Sequence, residues 1–374
     1  CVVVFGNEQL IIRLPNLLSF LLYGFGIFRI NRVVLKEDSI YFVPASLLFV
    51  SNPYLLDFFG LCRGYGMSCA LVTLAVSYLI TAYKDSKTRH AWIALLVSIL
   101  ASYANFTLLI FWVTATLMVW FFFIASSEGS MKRIIKPTAV IALLTILYLA
   151  LIANPIMKMN SSDEFQYWSS NGFYQDTIFP LIEYSRSGSN LIPGSHIIAG
   201  IAFIIILVNL IYISVHFHRS QFSRLSLKQP VFVTTAVLLI TAFVNLLQCW
   251  LLKTPNLHGR TALFFYPLFI TVTVSFMGII PPLRYRSMQR VMAVGLAFIC
   301  IFHVTDRFKL NWVRDAWQSV NTLEVLEYLK NNHTTEPVTL EAYYYLYHSY
   351  YYYVCDILRL NASLSCRFHT TRQV

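Results

Sequence analysis

Apolar runs long enough to cross a bilayer recur ten times along this chain, and no other feature constrains its fold as strongly. They cover roughly 13–31, 39–56, 65–83, 90–104, 105–126, 137–154, 195–215, 231–251, 261–280 and 288–304. At about 1.5 Å per residue, about 20 apolar residues cross the ~30 Å hydrocarbon layer. No water reaches backbone groups there, so the runs must be helical. The fourth and fifth form one apolar stretch from Ala91 to Ala125, too long for a single helix. Ser102 to Thr107, "SYANFT", is the natural place for a tight turn inside it. The predicted fold class is all-α, a polytopic transmembrane helix bundle of about ten spans.

Composition agrees. The chain is 57% hydrophobic and only 12% charged, whereas soluble domains carry about 25% charged residues. A net charge of +11 could point to nucleic acid, but the basic residues are scattered in small groups between apolar runs. Bilayer topology accounts for that pattern, and no nucleic-acid partner is expected.

The loop charges orient the bundle. Loops after odd-numbered spans hold fifteen of the 28 Lys and Arg, from Arg29, Arg32 and Lys36 to Arg284, Arg286 and Arg290. The N-terminal stub and the loops after even-numbered spans hold only Arg13, Arg63, Lys158, Arg186, Lys253 and Arg260. Excess Lys and Arg marks the cytoplasmic side, so both chain ends are expected outside. The expected division is a membrane core over 1–305 and a small extracytoplasmic C-terminal appendix over 306–374. In that tail, "DAWQSVNTLEVLEYLKNN" has apolar residues at helical spacing. The tyrosine-rich run Tyr343–Tyr353 reads as an interfacial surface or as a carbohydrate-stacking one. Cys355 and Cys366 could pair in an oxidising compartment.

Motifs for phosphate-binding loops, zinc hydrolases and serine hydrolases do not occur. "HFH" at His216–His218 resembles a metal pair, but it sits at a span end without a nearby carboxylate, which favours an interfacial role. The outward-facing charges carry more information, because ionisable residues beside a bilayer are costly. "LLDFFGLCRGYG", Leu55 to Gly66, puts Asp57 and Arg63 six residues apart between apolar runs. Either the two neutralise one another on a re-entrant turn, or Arg63 serves an anion. Guanidinium donates two parallel hydrogen bonds to phosphate or carboxylate. Lys253, His258 and Arg260 form a second outward cationic group, on a connector bent by Pro255 and Gly259; it reads as an anchor for anionic headgroups or as an anion site. The acids on this face are Glu8, Asp57, Asp163, Glu164, Asp176 and Glu183. A glycosyl transfer here would need one carboxylate to deprotonate the acceptor and cations to stabilise a departing phosphate. "NSSDEFQYW", Asn160 to Trp168, combines acids with aromatics suited to a sugar, and a solvated loop explains the same residues.

Three segments in order carry a family resemblance: "NEQLIIRLPNLLSF" (Asn7–Phe20), "LLDFFGLCRGYGMS" (Leu55–Ser68) and "HGRTALFFYPLF" (His258–Phe269). Together they resemble the GT-C superfamily of membrane glycosyltransferases. The nearest group is that of the protein mannosyltransferases and aminoarabinose transferases, with its bacterial RgtA/B/C/D-like domain. The resemblance implies an integral, multi-pass enzyme of a bacterial inner or plasma membrane, with its active face and C-terminal tail extracytoplasmic. It would move a sugar from a polyprenyl-phosphate donor to a lipid, glycan or protein acceptor of the cell envelope, by an inverting displacement. Residue by residue, Glu8 falls on the acidic position and Arg13 on the arginine of the first motif. Arg63 and Tyr65 fall on the arginine–aromatic turn, and Arg260 on the arginine opening the late span. Arg63, Lys253 and Arg260 are the expected phosphate contacts, with Arg13, Tyr65 and His258 completing the expected substrate-binding set. The family's leading catalytic aspartate would precede Cys1, so Glu8 and Asp57 are the acids this sequence itself offers. With no initiator Met and no signal pattern, the chain is expected to be a piece of a longer enzyme whose activity needs that upstream aspartate. No cofactor is certain, although some relatives use a divalent metal. For Asp57 three roles stay open: orienting Arg63, acting on the acceptor, or balancing charge. The competing class is a transporter or flippase of a lipid-linked saccharide, for which two related halves and mid-membrane charges would be expected.

Overall fold

Every element among the described residues is helical, as a chain built from apolar runs requires. The computed structural model describes residues 9–35, 39–61, 63–127, 130–161, 171–186, 194–219, 224–280 and 286–308, with Glu324 and Tyr328. Glu8, Asp163, Glu164, the tyrosine run, Cys355 and Cys366 lie outside them. Contacts divide the chain into one unit of Pro15–Arg307 and another of Cys1–Leu14 with Phe308–Val374. The first unit is the helical bundle.

The helices are α1 (Gln9–Val34), α2 (Phe42–Val50), α3 (Pro53–Gly60), α4 (Tyr65–Asp85), α5 (Thr88–Ala104) and α6 (Leu109–Ser126), then α7 (Met131–Ser161) and α8 (Phe179–Arg186), and finally α9 (Ser195–Arg219), α10 (Pro230–Leu252), α11 (Phe265–Ile279) and α12 (Arg286–Arg307). Eight of them are long and apolar enough to span a membrane, or nine spans if the bent pair α2–α3 counts as one. Exposed apolar side chains ring the outer helices, Ile201, Phe203, Ile204 and Leu207 on α9 among them. Such surface is stable against lipid and not against water, so the chain is a multi-pass membrane protein. The remaining expected span, the fourth (90–104), falls on α5. Its 17 residues make it about 26 Å long, short of the ~30 Å layer.

α4 is the central helix: 78% of its apolar window is buried, against 6% for α9 and 17% for α7. It packs along α5 and against α6, α10 and α11, with Tyr83 Oη donating 2.7 Å to the Met118 carbonyl of α6. The expected turn between the fourth and fifth runs is present. α5 ends at Ala104, and the Asn105 side chain accepts from Thr107 N at 3.2 Å to start a short 3-10 turn.

Two expectations need correction. The stretch 39–56 is not one straight span; α2 and α3 meet at a bend of 63°. The cause is Pro53, which lacks an N–H and disfavours α geometry in the residue before it. Asn52 is accordingly extended (φ −102, ψ 103) and caps α3 by accepting from Leu55 N at 3.1 Å. The described parts of the outer loop expected over Asn154–Pro193 are mostly helical. α7 runs through Pro155 to Ser161, and a π-helical turn (Tyr174–Ile178) leads into α8.

Candidate functional site

Among the described residues, Asn16 of α1 is bonded to the α3–α4 turn, and the π turn is bonded to the connector 256–262. α1 begins the site with Asn16, whose carboxamide is buried against the α3–α4 turn. Its Nδ2 faces the carbonyls of Phe58 and Leu61 at 2.5 Å and of Arg63 at 2.8 Å, and its Oδ1 accepts from Met67 N at 2.9 Å. One side chain therefore closes the C-terminus of α3 and the N-terminus of α4, where orphan backbone groups would otherwise lie in an apolar setting. The turn is held from the other side as well. A Cβ on Gly64 would stand 2.2 Å from the Ala104 carbonyl oxygen of α5, and one on Gly66 would stand 2.7 Å from that of Phe58. Arg63 is thus an exposed side chain on a backbone fixed at several points. Replacing Asn16 with Ala is expected to cost roughly 1–3 kcal/mol, because the carbonyls it serves stay buried. Thermal unfolding of the detergent-solubilised protein checks this.

From Arg63 a row of rings crosses to the second cationic segment. Tyr65 packs edge-on to Phe58 at 5.2 Å between centroids, and Phe58 on Tyr54 at 5.1 Å. Tyr54 lies on Tyr184 of α8 at 5.1 Å, and Tyr184 meets the His258 ring at 6.2 Å. Gly259 (φ +57) fits under Tyr184, where a Cβ would approach Cε2 to 3.1 Å. His258 caps the short turn Gly259–Ala262, its backbone N–H donating to Thr261 Oγ1 at 2.9 Å. Its Nδ1 is 3.0 Å from the Asp176 carbonyl oxygen. The carboxylate of Asp176, in the π-helical turn, accepts from Asn256 Nδ2 and from Gly172 N, each at 3.2 Å. Thr177 Oγ1 donates to the Leu257 carbonyl at 2.6 Å. The connector is therefore stitched to the π turn by both backbone and side chains.

The row links α3 and its following turn, bearing Asp57, Arg63 and Tyr65, to the connector bearing His258 and Arg260 through ring-to-ring steps of 5.1–6.2 Å. Asp57 is half-buried on α3, and Arg63 and Arg260 are exposed. Lys253 is exposed just after the end of α10, in left-handed conformation (φ 51). Arg13 is exposed in the first turns of α1 and belongs to the second unit; Glu8 lies outside the described residues. Glu183 pairs with Arg186 at 3.2 Å and accepts from Ser195 Oγ, joining α8 to α9.

Sequence reasoning passed over Asn16, Tyr54 and Tyr184. A lone carboxamide in the apolar run Leu10–Phe20 was the available signal for Asn16; nothing local distinguishes the two tyrosines. His216 stacks on Tyr212 (6.0 Å, 9° between planes) on α9. Among the described residues no group of three or more His, Cys, Asp or Glu could hold a metal ion. What this end of the bundle offers chemically is cations and aromatic rings around a rigid turn, with a carboxylate on the adjoining helix.

No family model, curated protein or solved structure matches the chain. Fold and site define its class as a helical multi-pass membrane protein.

Proposed function

We propose that the protein is an integral membrane glycosyltransferase. It takes a sugar from a polyprenyl-phosphate donor and passes it to a lipid, glycan or protein acceptor on the outer face of a bacterial inner membrane. One observation carries the reading: the two outward cationic segments, around Arg63 and around His258–Arg260, share one end of the bundle and one aromatic row. An acceptor hydroxyl attacks the anomeric carbon from the face opposite the phosphate, and the carbon–oxygen bond to phosphate breaks with its electron pair leaving on polyprenyl phosphate. The hydroxyl proton passes to a carboxylate, for which Asp57 and Glu8 are the candidates in this sequence. Arg63, Lys253 and Arg260 bear on the departing phosphate, where fixed cations lower the barrier most. The topology belonging to this proposal has ten spans, with α5 crossing as the fourth and both ends outside.

A second reading, a transporter or flippase of a lipid-linked saccharide, is favoured by the bend of 63° between α2 and α3, since broken helices are common in transporters. Proteoliposomes holding the purified protein, polyprenyl-phosphate-linked sugars and cell-envelope acceptors separate the two. Release of polyprenyl phosphate with matching glycosylation supports the transferase. Intact donor arriving in the opposite leaflet, with no release, rejects it in favour of the transporter.

A further inference from the structure

We infer that the opposite end of the bundle holds a binding site for an anionic phospholipid, with its headgroup phosphate on Arg29 and its acyl chain along α1. Arg29 lies thirteen residues beyond Asn16 on α1, about 20 Å along the helix, and one turn or so before the helix ends at Val34. The helix end there is level with the basic end of α4, where Lys84 reaches the Val33 carbonyl, and a long cationic side chain that near a span end reaches the headgroup level. The guanidinium is half-buried and held rather than mobile: it sits 4.1 Å over the Tyr78 ring and 5.7 Å from the Phe25 ring, and its Nε donates to Ser77 Oγ at 3.2 Å. No acidic side chain among the described residues pairs with it. Among the described residues the acid at this corner is Asp85, 3.7 Å from Lys87. A charge fixed at the rim of a bilayer and left without an anion is expensive, and the terminal guanidinium nitrogens are the donors that fit a phosphate.

The surroundings fit a lipid rather than a soluble anion. Leu18, Leu21 and Phe25 are 54%, 70% and 49% exposed. With Arg29 they fall at spacings of three, four and four, one stripe on α1. An acyl chain lying on that stripe ends with its phosphate at the guanidinium. The wall of the seam is α4, which approaches α1 closely: a Cβ on Gly26 would stand 3.1–3.3 Å from Thr73 and Leu74 atoms. His90 of α5 packs at a tilt of 38° on the same Tyr78 ring, 5.8 Å between centroids, and Lys84 Nζ reaches the Val33 carbonyl at 2.6 Å, so three helices converge around Arg29. Basic pockets between spans on the cytoplasmic side have this chemistry. The inference is independent of the proposed transferase activity and uses none of its residues.

The test is thermal unfolding of the purified protein in phosphatidylcholine nanodiscs, with and without phosphatidylglycerol, joined to mass spectrometry of the lipids that stay bound. Phosphatidylglycerol is expected to raise the unfolding temperature and to be retained preferentially. Arg29→Ala should lower that retention about fivefold or more, whereas Lys132→Ala, an exposed cation removed from the same end, should leave it within twofold. Equal behaviour of the unmodified protein in the two lipid compositions overturns the inference without recourse to any variant. Equal losses in both variants overturn it in favour of general surface charge. Inorganic phosphate alone reproducing the shift in phosphatidylcholine overturns the assignment to a lipid.

Discussion

Arg63→Ala is expected to lower sugar transfer from a polyprenyl-phosphate donor by about 10²–10³-fold, the usual loss when a fixed donor to developing negative charge is removed, while expression and folding stay intact. The turn's backbone is held by Asn16, by Gly64 against Ala104 and by Gly66 against Phe58, none of which uses the Arg63 side chain. Lys at this position should recover only part of the loss, because an ammonium is a point charge without the planar fork. Initial rates of polyprenyl phosphate release, at saturating and at limiting donor, are the measurement. Undiminished turnover in Arg63→Ala would remove the residue from the site.

Gly64→Ala should have the largest effect on stability. The backbone there is ordinary (φ −63), so conformational freedom is not the issue; space is. A methyl group would stand 2.2 Å from the Ala104 carbonyl oxygen, and backbone cannot yield as a flexible side chain can. Either the α3–α4 turn or the end of α5 must move, at a cost of about 3 kcal/mol or more. Gly24→Ala on α1 is the matched control. Nothing lies within 4 Å of its added carbon, and alanine in a helix interior is favoured over glycine by about 0.5–1 kcal/mol. Unfolding temperatures should therefore move in opposite directions for the two substitutions. A Gly64→Ala protein as stable as its parent would mean that the turn is not packed on α5 as described.

The helical class, the turn at Asn105 and most span positions were legible because lipid imposes a simple demand: long apolar runs with every backbone group bonded internally. The bend at Ser51–Asn52 was written in Pro53 but hidden by the apolar residues on both sides, which read as one run. Helix α8 and the π turn escaped because their residues mix polar and apolar without a clear period, and their helicity depends on contacts with α3, α9 and the 258–262 segment. At the site, charges were easy to see and their supports were not. Arg63 and Arg260 stand out in an apolar sequence, but Tyr54 and Tyr184 are 130 residues apart and only folding makes them neighbours. Asn16 likewise acts on a turn more than forty residues away.

That the turn at Arg63 and the connector at Arg260 serve one phosphate is the central claim, and a double-mutant cycle on polyprenyl phosphate affinity tests it most directly. Binding would be measured for the parent protein, Arg63→Ala, Arg260→Ala and the double variant in the same bilayer. Residues sharing a ligand couple by about 0.5–3 kcal/mol, so the double variant should lose clearly less than the sum of the two single losses. Strictly additive losses, or affinity unchanged by either substitution, would contradict a shared phosphate site at this end of the bundle.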